Sequence, residues 1–179
     1  MSVSDSDLIA RVVGRDDRAA FGELVHRHQS AVRRFLRHLN GGDAAQADDL
    51  AQDTFVQAYR GLPLYRGEGQ FATWLFGIAH NHYRNQRRRN QRDANLTEAS
   101  EFETAAPPTR AVELNQDLRQ ALSQLSPDEQ TAVHLFYQQG LTHPEIAAIV
   151  GWPLGTVKTH LARAKERLRS LLRAWNPQI

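Results

Sequence analysis

Apolar residues recur at steps of three and four along most of this chain, which is the spacing of one buried face on an α-helix. In the N-terminal half this pattern predicts four helices, near residues 5–13, 16–39 and 44–59 and from residue 70 into an arginine-rich segment. No stretch of useful length alternates apolar and polar residues, so β-strands are not expected.

The C-terminal half carries a second set of helical signals. A helix is expected from about Leu114, striped by leucine and alanine. The run Ser126-Pro127-Asp128-Glu129 then supplies a capping residue, a proline and acidic side chains, which together mark the start of a helix. That helix is predicted to reach about Gln138, with Gly140 closing it.

Between these halves the helical periodicity is lost. Residues 93–113 are rich in alanine, threonine, serine and acid and contain Pro107-Pro108, a composition typical of a flexible or partly extended linker. We therefore predict an all-α fold of two small helical domains, residues 1–92 and 114–179, joined by this linker.

The segment after Gly140 has the features of a helix-turn-helix. Thr142, with a glutamate three residues later, predicts a capping box at the start of the first helix. Small Ala147 allows close helix contact, Gly151 suits the turn, and Val157 packs the second helix onto the first. These features predict a DNA-binding module in the C-terminal domain.

The second helix of that module has a buried side and a basic side. Val157, Leu161 and Ala164 form its apolar stripe. The opposite side presents short polar and basic residues, as a helix in the major groove of DNA requires. These candidate DNA-binding residues are Lys158, Thr159, Ala162 and Arg163, with Lys165 continuing the positive charge for phosphate contact.

Composition narrows the class of protein. The chain has 179 residues, no cysteine and a formal net charge of +2, so disulfides and cysteine metal sites are excluded. No apolar run approaches a membrane span and the N-terminus is no signal peptide, so a soluble cytoplasmic protein without direct membrane insertion is expected.

Catalytic and metal chemistry find little support in the sequence. The histidine pairs His26/His28 and His80/His82 are spaced two residues apart, which points their side chains to different sides of a helix. No phosphate-binding loop, nucleophile motif or catalytic pair of carboxylates is recognisable. We expect no metal, no cofactor and no catalytic residue.

Three segments in this order resemble one family. Residues 47–62, 71–89 and 126–172 are similar to bacterial RNA polymerase sigma factors of the extracytoplasmic-function (ECF) group, which keep two sigma domains joined by a linker. The resemblance implies a protein that binds RNA polymerase core, recognises promoter DNA through both domains and is not itself an enzyme. It also implies control by an anti-sigma factor, often a membrane-bound one.

The resemblance assigns roles to residues of the N-terminal domain. The segment 47–62 matches the part of the family that docks on the clamp coiled coil of the polymerase's largest subunit. Its polar residues lie off the apolar stripe and are free to meet a basic partner: Asp48, Asp49, Gln52 and Asp53.

The segment 64–89 matches the reader of the −10 promoter element, which holds unstacked bases of the non-template strand. Asn81 matches a position that hydrogen-bonds a flipped base in some family members, and Tyr65 is the better candidate for an exposed aromatic side chain, with Trp74 expected in the core. The implied −10 residues are Tyr65, Arg66, Gly67, Gln70, Asn81, Arg84, Arg87 and Arg88.

In the segment that matches the −35 reader, Lys158, Thr159, Ala162 and Arg163 fall on base-contacting positions of the family. Two alternatives stay open. A free-standing helix-turn-helix regulator would use its N-terminal part to dimerise, and core polymerase co-purification would discriminate it from a sigma factor. A recombinase with a helix-turn-helix tail would need a nucleophile that the sequence does not show.

Overall fold

The structure, a computed structural model, describes residues 3–67, 69–94, 118 and 120–175, with side chains through Arg92 in the first part and Leu172 in the second. The described residues form helices and turns without any strand, which confirms the all-α prediction. They fall into two compact units that divide near Arg89. The predicted linker, from residue 95 onward, and the predicted helix start at Leu114 lie outside the described residues.

The N-terminal unit contains four long helices. They are α1 (Asp5–Arg15), α2 (Arg18–Leu39), α3 (Ala44–Gly61) and α4 (Phe71–Ala94), and a short 3₁₀ turn, Leu62–Leu64, follows α3. All four match the predicted helices, although their ends differ by a few residues and α4 continues through the first two residues of the predicted linker.

Side-chain caps fix where these helices begin. The carboxylate of Asp17 accepts a hydrogen bond from the backbone N–H of Ala20, so α2 begins after Asp17 instead of at Asp16 as predicted. Asp16 adopts a left-handed backbone with φ of 50° and separates α1 from α2. Asp43 caps α3 in the same way, through the N–H of Gln46.

The core of this unit lies where α2, α3 and α4 face one another. Phe35 of α2 is fully buried and packs edge-to-face on Phe76 of α4, with ring centroids 5.3 Å apart. Each large apolar side chain in this core contributes about 1.5–3 kcal/mol to folding. The buried apolar residues include Leu24, Val32, Leu36, Leu50, Phe55, Leu62 and Leu75.

Polar contacts attach α1 to the rest of the unit. The carboxylate of Asp5 accepts from Arg27 at 3.0 Å and lies 2.6 Å from Nε2 of His28, both on α2. Arg27 also donates to the backbone carbonyl of Val3 at 2.7 Å. The hydroxyl of Tyr59 on α3 hydrogen-bonds Asp16, which fixes the junction between α1 and α2 to α3.

The C-terminal unit contains α5 (Pro127–Val133), α6 (His143–Val150) and α7 (Leu154–Trp175). The predicted helix through Gln138 is present, but its last part, His134–Gln138, forms a π-helical turn. Ser126 caps α5 as predicted and also forms a capping box with Glu129, with the Ser126 N–H donating to Glu129 Oε2 at 2.9 Å.

The core of the C-terminal unit joins the three helices. Leu135, Ile146, Val157 and Ala164 are fully buried and come from the π-helical turn, α6 and α7. Gly140 closes the π-helical turn with a φ of 68°, a backbone conformation that residues with a Cβ rarely adopt.

Candidate DNA-binding and polymerase-docking surfaces

The helix-turn-helix forms as its sequence predicts. The N–H and hydroxyl of Thr142 donate to Glu145 Oε2 at 2.8 and 2.7 Å, and the Glu145 N–H donates back to Thr142 Oγ1 at 3.4 Å. This capping box starts α6. Gly151 turns the chain with a φ of 72°, and Val157 is fully buried.

Trp152, in the turn, holds the start of α7. Its ring lies 4.8 Å from that of His160 on α7, and both side chains are half-buried. This tilted ring contact joins the turn to the first part of α7.

The outer face of α7 is exposed, as the periodicity predicts. Val157, Leu161 and Ala164 are buried on the other side of the helix. Thr159 lies about 200° around the helix from Val157 at 100° per residue, and so points directly away from the core. The candidate −35 residues, all exposed, are Lys158, Thr159, Ala162, Arg163 and Lys165. We call this set the α7 face.

Around the loop before α4, the glycines take positive φ values. Gly67 has a φ of 71° and Gly69 of 93°, so the backbone turns sharply without side chains in the way. Arg66, Gly67 and Gln70 are exposed, whereas Glu68 lies outside the described residues.

On α4 the predicted −10 residues Asn81, Arg84, Arg87 and Arg88 are all exposed. At 100° per residue, Asn81, Arg84 and Arg88 lie within about 60° of one another and form one side of the helix. Arg87 lies about 60° from Arg84 but about 120° from Asn81, at the edge of that side. We call Asn81, Arg84 and Arg88 the α4 face.

Tyr65 is half-buried, so the expectation of an exposed aromatic at this position is wrong. Its ring packs 5.0 Å from Trp74 and 5.8 Å from Phe71, and its hydroxyl donates to the Gly69 carbonyl at 2.9 Å. Burial raises the pKa of the Tyr65 hydroxyl, with a smaller effect from Asp5. Tyr65 therefore shapes the loop from beneath.

Trp74 is also half-buried, so it is less buried than the core residue that it was expected to be. It packs over Gly61, where a Cβ would lie 3.3 Å from its ring. Leu64, in the 3₁₀ turn that follows Gly61, is 84% exposed.

A groove of about 640 Å³ separates α1 from the loop before α4. Ile9, Ala10 and Val13 of α1 form one wall, and the sequence analysis missed them. The sequence did contain a signal for this wall, since Ile9, Ala10 and Val13 are apolar residues beside the buried Leu8 and Val12. A helix with apolar residues on two sides contacts more than one neighbour. Asn81 is not among the residues that line this groove.

The acidic segment of α3 presents a largely free polar surface. Asp49, Gln52 and Asp53 are exposed, and Val56, 50% exposed, lies on the same side of the helix. Asp48 differs from the prediction, because its carboxylate lies 3.3 Å from Nε of Arg33 on α2 in an ion pair. We call Asp49, Gln52, Asp53 and Val56 the α3 face.

Neither a metal site nor a membrane span is found within the part of the chain that the structure describes. No group of three or more histidine, aspartate or glutamate side chains converges there in a way that could hold a metal ion. None of the helices in that part combines the length and apolar character needed to cross a bilayer.

Family models match both halves of the chain. Residues 24–93 match Sigma-70 region 2 and residues 115–168 match Sigma-70 region 4. Among similar proteins, the RNA polymerase sigma-H factor of Pseudomonas aeruginosa is 34% identical over 94% of this chain and 93% of its own length. The ECF RNA polymerase sigma-E factor of Escherichia coli K12 is 34% identical over 93% of each chain.

Solved structures agree with these matches. The sigma factor RpoE of Bartonella quintana, in complex with the anti-sigma factor NepR, superposes with a TM-score of 0.73 at 30% identity, over 86% of this chain and 96% of that chain. CnrH, in complex with the cytosolic domain of CnrY, gives a TM-score of 0.70 at 29% identity, over 95% and 97%.

The fold, the helix-turn-helix and the region 2 match define a two-domain sigma factor of the sigma-70 type. The chain belongs to the ECF group of RNA polymerase sigma factors, and is an alternative sigma factor that directs transcription initiation. Neither a free-standing regulator nor a recombinase accounts for region 2 and region 4 in this order.

Proposed function

We propose that the three faces divide the work of this sigma factor. The α3 face, with Asp48 beside it, docks on the clamp coiled coil of the polymerase's largest subunit. The α4 face and the loop of Tyr65, Arg66, Gly67 and Gln70 hold the −10 element, with Arg87 on its phosphates. The α7 face reads the −35 element. Residues 1–92 and 114–179 are then the functional domains, with residues 93–113 as the linker.

The observation that carries this proposal is the separation of charge between faces. Acidic Asp49 and Asp53 are exposed on α3, and neither forms an ion pair within the described residues. The residues of the α4 and α7 faces are cationic or neutral, and Glu166, the exposed carboxylate on the same side of α7, is paired with Arg169 at 3.1 Å. An acidic face suits a basic protein partner, and a basic face suits the phosphates of DNA.

The −10 assignment is supported by how the loop and α4 differ in chemistry. The loop offers open backbone at Gly67 and the polar side chain of Gln70, which suit close contact with an unstacked base. The exposed amide of Asn81 both donates and accepts hydrogen bonds, and Arg84 and Arg88 beside it suit phosphates. These residues hold DNA and perform no bond-breaking chemistry, so the polymerase supplies the catalysis.

An anti-sigma factor is the expected regulator. The similar solved structures are complexes of sigma factors with anti-sigma factors, so the same kind of partner is proposed for this chain. A cytoplasmic location follows, because both RNA polymerase and promoter DNA are found there. Binding of the anti-sigma factor would compete with core polymerase for the α3 face.

The test uses holoenzyme reconstituted from core polymerase and the full chain. Lys158→Ala with Arg163→Ala should weaken discrimination of −35 sequences, and Arg84→Ala with Arg88→Ala should weaken open-complex formation at the −10 element. Arg15→Ala, which removes an exposed charge at the end of α1, is the matched control and should do neither. If both double variants lose activity equally on promoters altered in either element, the division of work is wrong.

A further inference from the structure

Thr159 occupies the centre of the α7 face. It lies about 200° around the helix from Val157, so its side chain is aimed away from the buried stripe. Its neighbours on the face are Lys158 and Arg163, whose side chains can only donate hydrogen bonds, and Ala162, whose side chain can neither donate nor accept one. Any acceptor chemistry among the four candidate base-contacting residues must come from Thr159.

The direction of the Thr159 hydroxyl is fixed by a hydrogen bond. Its Oγ1 lies 2.9 Å from the backbone carbonyl oxygen of Gly155, one helical turn earlier. A carbonyl oxygen cannot donate, so the proton of the hydroxyl must point to Gly155. The lone pairs of Oγ1 and the methyl group remain for the solvent side.

Each base edge in the major groove offers a different set of groups. Adenine and cytosine present amino donors, whereas guanine presents two acceptors, and thymine presents an acceptor and a methyl group. A hydroxyl whose proton is already used can accept from an amino group. It cannot donate to guanine or thymine without losing its bond to Gly155.

We infer that Thr159 is a specificity-determining residue that reads the amino group of adenine or cytosine at one position of the −35 element. The inference rests on the proposed placement of the α7 face in the major groove. Lys158 and Arg163 then suit acceptor-rich edges such as guanine, so Thr159 supplies an acceptor between two donors.

The experiment measures base preference with the complete holoenzyme. Promoters randomised across the −35 element are transcribed by core polymerase with the wild type, Thr159→Val, Thr159→Ala or Thr159→Ser, and the products are sequenced. Valine keeps the shape and the methyl groups but lacks the hydroxyl, whereas serine keeps the hydroxyl. Alanine provides a second hydroxyl-free variant with high helix propensity.

The wild type and Thr159→Ser should prefer adenine or cytosine at one position. Thr159→Val and Thr159→Ala should lose about three- to tenfold of that preference, the effect of one hydrogen bond. Unchanged preferences in both hydroxyl-free variants would overturn the inference, as would a wild-type preference for guanine or thymine at the affected position.

Lys158→Ala and Arg163→Ala show whether a negative result concerns only Thr159 or the proposed function of the whole α7 face. If they change base preference and the Thr159 variants do not, only the Thr159 inference falls. If none of these variants changes preference at any −35 position, the α7 face does not read DNA and both proposals fall.

Discussion

Charge reversal on the α3 face should weaken binding to core polymerase. Asp49 and Asp53 are exposed and form no ion pair within the described residues, so Asp49→Lys with Asp53→Lys breaks no such contact in the free protein. Stability should therefore change by no more than about 0.5 kcal/mol. This separates a docking defect from a folding defect.

The size of the binding effect follows from the exposure of the two carboxylates. An exposed ion pair contributes about 0.2–1 kcal/mol, and reversal replaces that attraction with a comparable repulsion. Two such reversals should cost about 2 kcal/mol, which raises the Kd about thirtyfold. The loss should shrink as salt increases, because salt screens both attraction and repulsion.

A competition assay with labelled sigma factor and core polymerase measures this Kd at two salt concentrations. Asp128→Lys is the control, since Asp128 is exposed, forms no ion pair within the described residues, and its reversal makes a charge change of the same sign and size as one α3 substitution. It should change the Kd by less than about twofold. A double reversal that binds core as tightly as wild type would refute docking through this face.

Four further outcomes are expected. Lys158→Ala and Arg163→Ala should each reduce transcription from a cognate promoter at limiting protein, by about 1–3 kcal/mol in binding if the side chain reaches a base, and wild-type output would contradict the α7 placement. Asn81→Ala should lower permanganate reactivity of −10 thymines on duplex DNA and recover partly on a pre-melted promoter, since unstacking costs a few kcal/mol; equal reactivity would exclude its role. Phe35→Ala should destabilise the protein by about 3–5 kcal/mol in denaturant titration, and a loss below 1 kcal/mol would contradict its fully buried place against Phe76. The backbone N–H of Ala20, and then Arg11, lower the pKa of Asp17 below its usual 3.8. The stabilisation of the fold by this carboxylate is therefore complete above pH 3.8 and is lost as the pH falls through the folded-state pKa. Asp17→Asn should flatten the dependence of folding stability on pH in that acidic range, and an unchanged dependence would count against the cap.

Most of the helices could be predicted from patterns among residues close together in the sequence. The capping boxes at Ser126 and Thr142 depend on residues three positions apart, so the sequence could place these helix starts directly. The buried stripe of α7 and its exposed opposite face follow from periodicity alone.

Contacts between distant residues could not be read in the same way. The contacts of Asp5 with Arg27 and His28, and the ion pair of Asp48 with Arg33, join different helices and depend on how those helices pack. Tyr65 was expected to be exposed in contrast to Trp74, which helical spacing placed in the core. Packing against Trp74 overrides that local character.

The α4 face illustrates the limit for a site. Helical geometry places Asn81 on one side of α4 with Arg84 and Arg88. The resemblance to sigma factors assigns the loop before α4 to the same −10 site. The groove beside that loop is instead completed by α1, through Ile9 and Val13. Only tertiary structure could show which wall the loop faces.

Run-off transcription tests the central claim most directly. Core polymerase alone, core with this protein, and core with the protein carrying Asp49→Lys and Asp53→Lys are compared on a library of promoter fragments. We predict discrete transcripts from a shared pair of −35 and −10 sequences with the wild-type protein, far fewer with the α3 variant at the same concentration, and none with core alone. If the protein binds promoter fragments yet core polymerase starts at the same sites with and without it, it does not act as a sigma factor.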